Sequence, residues 1–283
     1  MNRLAPAKNE GFAGFVLWSV AAFIVAVFAW LMADILIHGA AQISWDFLST
    51  APEKAGRRGG ILPILVSTLL IMGVCLLAAL PIALGTAILL AEFTPEKSAF
   101  GRMVRRALDV LAGVPSIVFG LFGNAFFSVY LGLGFSILSG GLTLACMILP
   151  LLIRTLEAGL RANPARDRLA AAALGLSYGA SLRHILLPGA APALLAGLLL
   201  GGGRAIAETA ALVYTSGYVD RMPGSLLDSG RALSVHIFDL SMNVPGGDQN
   251  AYASALVLIV LLFIVNVTTA GIVSRWRKTG LAI

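Results

Sequence analysis

The sequence predicts an all-α integral membrane protein with six transmembrane helices, and three observations carry this. Hydrophobic residues make up 58% of 283 and charged residues only 12%, where soluble domains run at about 25% charged. The apolar residues gather in six runs compatible with membrane crossings. Counting those runs as crossings puts 14 Lys and Arg on the side of both termini and 5 on the other, with Arg204 inside a run. Basic residues accumulate on the cytoplasmic side, so both termini and the 154–188 loop are expected there.

In order, residues 1–10 are polar, with Arg3 and Lys8. The first span is expected over Phe12–Leu36, broken only by Ser19 and Asp34. It is far longer than a signal-peptide core of about 7 to 15 residues. A charged loop with Trp45 precedes a second run, Ile61–Ala91. At about 1.5 Å per residue this run exceeds one upright crossing of about 30 Å; Pro63 offers a start and Pro81 a kink. Glu92, Glu96 and Lys97 end it. The third span is expected over Leu108–Leu131 with Pro115 inside, and the fourth over Gly141–Ile153 or from near Phe135. The fifth is expected over Ala190–Thr215 and the sixth over Ala251–Val273, after a 216–250 loop with four aspartates. Arg275, Arg277 and Lys278 close the chain.

No catalytic constellation appears. His38, His184 and His236 are scattered, and no zinc-protease, phosphate-cradling or nucleophile-elbow pattern occurs. Cys75 and Cys146 lie in apolar runs without metal-site spacing, so free thiols and no metal are expected. The net charge of +6 follows from the basic loops and does not call for nucleic acid. The chain is read as a non-enzyme.

Two stretches invite function. In the 154–188 loop, Asn163-Pro164 is a helix start, Leu169–Leu174 is alanine-rich, and Gly175 is a C′ stop. A second amphipathic piece, Ser177–Leu187, is expected to end at Pro188. The pair forms a compact protrusion whose small residues suit another protein's groove; an ordinary interfacial helix pair is the competing reading. In the fifth span, Arg204 lies about 14 residues in, or about 21 Å along the helix. A charge at that depth costs at least about 2.5 to 3.5 kcal/mol on insertion scales. Glu208, four residues on, is expected on the same helix face. The pair either docks this span to another subunit or lines a path, where a guanidinium fork suits phosphate oxygens. Gly201, Gly202 and Gly203 permit close helix approach under both readings.

The loop resembles the coupling motif of ATP-binding-cassette importers: EAA, three residues, Gly, nine residues, Ile-x-Leu-Pro. Ala170-Ala171, Gly175 and Ile185-Leu186-Leu187-Pro188 fit every spacing, while Leu169 stands where the motif has Glu. Gly59-Gly60-Ile61-Leu62-Pro63, Gly113-Val114-Pro115-Ser116-Ile117-Val118-Phe119-Gly120, Gly203-Arg204-Ala205-Ile206-Ala207-Glu208-Thr209 and Ala251-Tyr252-Ala253-Ser254-Ala255 are similar to phosphate-importer permeases of the PstA branch. The resemblance covers about 59–275. It implies a type I importer permease fold over 59–275, preceded by an N-terminus, first span and external loop in 1–58 and followed by a tail in 276–283. It further implies a bacterial-type inner membrane and ATPase coupling through Ala170, Ala171, Gly175, Ile185, Leu187 and Pro188. Arg204 and Glu208 would line the path for inorganic phosphate. The implied partners are a second homologous permease, two ATP-binding subunits holding ATP and Mg, and an external phosphate-binding protein facing the 38–60 and 216–250 loops. This chain itself would bind no cofactor. Another oxyanion (phosphonate, molybdate or sulfate) and an ion-coupled carrier stay open as alternatives.

Overall fold

The computed structural model describes residues 10–95 and 97–281. The expected polar N-terminus with Arg3 and Lys8, the span-ending Glu96, the last two residues, and the side chains of Arg277 and Lys278 lie outside the described residues.

A long apolar run without proline makes the first helix, α1 (Glu10–Ala40), which packs through its C-terminal end among the described residues. There Tyr252 donates to Asp34 at 3.0 Å, and a Cβ on Gly39 would sit 2.7 Å from the Tyr252 carbonyl. The loop between α1 and the second span holds α2 (Trp45–Ser49), capped by Ser44, and a two-rung hairpin, β1 (Pro52–Glu53) with β2 (Arg58–Gly59). The hairpin's tip is left-handed through Lys54, Ala55 and Gly56. Next, α3 (Leu62–Ile88) starts with Pro63 in its first turn and continues into a π-turn, Leu89–Phe93.

The third expected span is corrected at its start. Val114 precedes a proline, which disfavours the helical region, and the chain breaks at Gly113–Pro115. Upstream, α4 (Ala99–Ala112) lies at 101° to the segment Ser116–Tyr130. That segment is α5 (Ser116–Gly123) plus a π-turn to Tyr130, and it packs against α6 and the short helix Ala210–Val213. The fourth span is longer than expected: α6 runs from Ile137, capped by Ser136, to Arg161. It is the core of the bundle, with Leu144, Ile148, Leu152, Leu156 and Leu160 at 0–1% exposure.

The loop carries α7 (Ala165–Ala173), α8 (Tyr178–Ser181), a π-turn over Leu182–Leu186 and a single turn, α9 (Leu187–Gly189). A 61° bend leads into α10 (Ala191–Ile206), and a break separates α10 from α11 (Ala210–Val213). The loop after α11 folds over the bundle and carries α12 (Leu233–Met242), whose Leu233 amide donates to Thr68 Oγ1 at 2.9 Å. The last helix, α13 (Asp248–Leu281), extends beyond the expected sixth span and through most of the expected tail. Among the described residues four helices (α1, α3 with its π-turn, α6 and α13) are long and apolar enough to cross a membrane, and counting each of the two bent pairs as one span brings the number to six. The protein is an all-α integral membrane protein.

Candidate functional site: a broken fifth span and a tethered loop

The fifth span does not run through to Thr215. After Gly201-Gly202-Gly203, the helix ends at Ile206; Ala207 and Glu208 fall back on the carbonyls of Gly203 and Ala205 at 3.3 Å. The short α11 is docked by close approach: a Cβ on Gly120 of α5 would meet the Ala211 Cα at 2.8 Å. This corrects the expected Arg204–Glu208 pair. Glu208 is not on the face of Arg204's helix, because the helix ends between them. Its carboxylate instead accepts from the Ala211 amide at 3.3 Å, and its carbonyl accepts from the buried Ser234 of α12 at 2.6 Å. Capping the next helical turn outcompetes a surface ion pair, since each orphan amide must find a partner.

Arg204 is left exposed on the surface of the chain, and its side chain makes no hydrogen bond or ion pair among the described residues. Non-helical backbone at membrane depth persists only where it is buried in protein or lines a water-filled cavity, and discontinuous helices at mid-membrane build transporter sites. A guanidinium beside such a break, with no partner among the described residues, is open to an anion or to an acceptor on another chain.

The loop between α6 and α10 is tied to the bundle at both ends. Asn163 does not cap α7, as its sequence position suggests; Pro164 takes that place. The Asn163 amide instead donates to the carbonyls of Leu160 at 3.3 Å and Leu186 at 2.9 Å, holding the loop's two ends together. Arg168 reaches the end of the second span: its Nη2 and Nε meet the two Glu92 oxygens at 2.6 and 3.3 Å. Glu92 holds the Arg168 guanidinium above its ordinary pKa. The Phe93 and Tyr178 rings pack edge to face at 5.2 Å. In the sequence Glu92 marks only the end of a span and Arg168 is one basic residue among five in its loop; nothing local connects residues so far apart in the chain.

Gly175 is where the loop turns. It adopts φ +69°; its amide bonds Ala172 O at 3.0 Å and the Leu176 amide bonds Ala171 O at 3.1 Å. This is a full Schellman closure. The six expected coupling residues divide. Ala170 and Gly175 are exposed at the tip, beside Leu169 at 70% and Leu174 at 77% exposure, whereas Ala171 packs inward. Ile185, Leu187 and Pro188 are partly or wholly buried at the loop's root. Pro188 does not end the second piece; the π-turn before it absorbs the missing amide and the helix continues to Gly189.

A family model for binding-protein-dependent transport system inner membrane components matches residues 79–278. The chain is 33% identical to a phosphate transport system permease protein, PstA 2, of Mycobacterium bovis, over 86% of this chain and 80% of that one. It is 28% identical to a probable ABC transporter permease protein, YqgI, of Bacillus subtilis, over 92% and 91%. Among solved structures, a bacterial ABC transporter involved in the import of alginate superimposes with a TM-score of 0.64 at 12% identity, covering 95% of this chain and 96% of that one. This last likeness shows the shared fold.

Proposed function

Since the chain belongs to the family of binding-protein-dependent transport system inner membrane components, and so is a permease subunit of an ABC importer with the type I fold, we propose that its solute is inorganic phosphate. The observation that carries this is Arg204, an exposed guanidinium at the break of the fifth span with no hydrogen bond or ion pair among the described residues. Its forked donors suit a tetrahedral oxyanion. The relatives named as phosphate permeases support the same solute.

In this reading the permease pairs with a second, homologous one, and the exposed face of α10 borders the path between them. An external phosphate-binding protein delivers the ion to the hairpin and α12 side. Two ATPase subunits dock from the cytoplasm on the tip formed by Ala170, Leu174 and Gly175. ATP and Mg belong to those subunits. Closure of the ATPases moves the tip, and the Arg168–Glu92 bond carries that movement to the end of the second span, so the path alternates between its two openings. With Leu169 in place of the motif's Glu, the tip meets its ATPase through apolar area instead of an ion pair.

The test is phosphate uptake in membranes with complex content equalised by immunoblot. Arg204→Gln is expected to leave assembly and ATP hydrolysis intact and to abolish most uptake; near-normal uptake removes Arg204 from the path. Competition by phosphonate, molybdate and sulfate separates the oxyanions. A cysteine at Ser177 is expected to react with an impermeant thiol reagent only from the cytoplasmic side, and labelling of intact cells reverses the orientation.

A further inference from the structure

Away from the broken span, three arginines converge on one carboxylate. Glu157 of α6 is 3% exposed. Arg105 of α4 donates to its Oε1 at 2.6 Å, Arg161 to the same oxygen at 3.1 Å, and Arg154 to Oε2 at 3.2 Å. Arg105 and Arg161 also donate to the Leu90 carbonyl, and Asp109 receives Arg154 Nε at 3.0 Å. The guanidinium groups are thereby fixed along the wall of an open cleft of about 400 Å³.

Two features suggest an absent ligand. The outer nitrogens Arg105 Nη1 and Arg154 Nη2 meet no acceptor among the described residues. Two carboxylates, Glu157 and Asp109, face three guanidinium groups, which leaves an excess positive charge and presents rigid forks to a further anion. Position narrows the chemistry. Bent 101° away from the segment that follows it, α4 packs against α6, whose end leads into the 162–188 loop. Its outer side exposes Phe100, Met103 and Val110 at the spacing of an interfacial helix. Basic pockets between helices at this depth hold lipid phosphates.

We propose that the cleft walled by Arg105, Arg154 and Arg161 binds a phosphate group, supplied by an anionic phospholipid headgroup or by inorganic phosphate. The site is separate from Arg204, and its test is independent of transport. The full-length chain is placed in nanodiscs of phosphatidylcholine with or without phosphatidylglycerol, and retained lipid is read by native mass spectrometry. In a second arm, radiolabelled inorganic phosphate is bound to the chain in phosphatidylcholine alone. Retention of phosphatidylglycerol identifies a headgroup and saturable phosphate binding identifies the free ion; either supports the site. Arg154→Gln, which leaves Glu157 paired with Arg105 and Arg161, is expected to weaken binding about tenfold, as losing one charge-assisted hydrogen bond does. Arg106→Gln removes the same charge from α4 outside the cleft and is expected to change nothing. Equal losses in the two variants, or no binding in either arm, overturn the proposal and leave the cluster a structural brace. Arg204→Gln keeps this binding even where uptake is lost, so the two readings fail separately.

Discussion

Arg204 and the arginines around Glu157 are the same residue type under opposite terms. At the end of α6 every guanidinium is anchored by carboxylates and carbonyls of this chain, with only outer nitrogens left over, and the one buried carboxylate is fully engaged. At the end of α10 the guanidinium is exposed and unpaired, and the nearest carboxylate in sequence is committed to another helix. The first arrangement holds parts of the bundle together. The second leaves a guanidinium without a partner among the described residues, which suits the proposed path, since an internal ion pair would have to break each time an anion arrived.

The sharpest way to break this contrast is to spoil the closed region. Glu157→Leu leaves three arginines around an apolar side chain, and breaking a buried pair in this way costs about 3–5 kcal/mol. The expected result is the largest loss of thermal stability of any change here, read as the unfolding midpoint in detergent. A midpoint equal to wild type would mean that the arginines are solvated individually and that the contrast is false. Arg204→Gln is the mirror experiment. No shift in midpoint is expected, while uptake falls about tenfold to a hundredfold, the range for losing a hydrogen bond to a charged group. Adding Glu208→Gln is expected to be additive within about 0.5 kcal/mol in the uptake cycle, because residues with no shared partner do not couple. A large coupling energy would restore an Arg204–Glu208 pair in the working protein.

The tethered loop stands between these extremes, since it is fixed at its root and exposed at its tip. Gly175 turns at φ +69° with open space where a Cβ would project. Gly175→Ala therefore costs about 1–2 kcal/mol through backbone strain alone, while Gly175→Asp adds charge to the tip. The alanine change is expected to lower stability slightly and spare ATPase co-purification. The aspartate change is expected to reduce co-purification and unlink ATP hydrolysis from uptake. Equal behaviour of the two would place Gly175 outside the contact.

The six crossings were legible because hydropathy integrates over whole runs, and the Schellman turn was legible because Gly175 follows an alanine-rich helix. The two breaks were not equally hidden. Pro115 was a visible signal, and the arginines at 102, 105 and 106 mark a polar face that a lipid-embedded helix would not carry. The break after Ile206 has no proline, and hydropathy passes smoothly over Ala207; only the glycine triplet weakens that helix in the sequence. The pairings that hold the loop, Arg168 with Glu92 and Arg105 with Glu157, join residues 76 and 52 positions apart, and no local pattern encodes them.

The outer face supplies the smallest test. There Arg231 is held by Asp239 at 3.2 Å and by the Tyr218 carbonyl at 2.8 Å, with its Nη1 3.4 Å from Nδ1 of the buried His236. Burial, and then the Arg231 charge, push the His236 pKa down from 6.5 to about 4, against the opposing pull of Asp239. Between those values the unfolded chain binds a proton that the folded chain refuses, so stability is intact above pH 6.5, declines as pH falls, and levels off below about 4. The slope is about 1.4 kcal/mol per pH unit at most, or roughly 1 kcal/mol over the first unit below the unfolded value. His236→Gln keeps a polar group beside Arg231 without a proton to gain, and is expected to flatten the decline of the unfolding midpoint between about pH 6.5 and about pH 5. If the variant falls as steeply as wild type, other groups carry the acid sensitivity. The imidazole would then be solvated in solution, and the outer cluster would belong with Arg204 among the unsatisfied charges instead of with Glu157 among the satisfied ones.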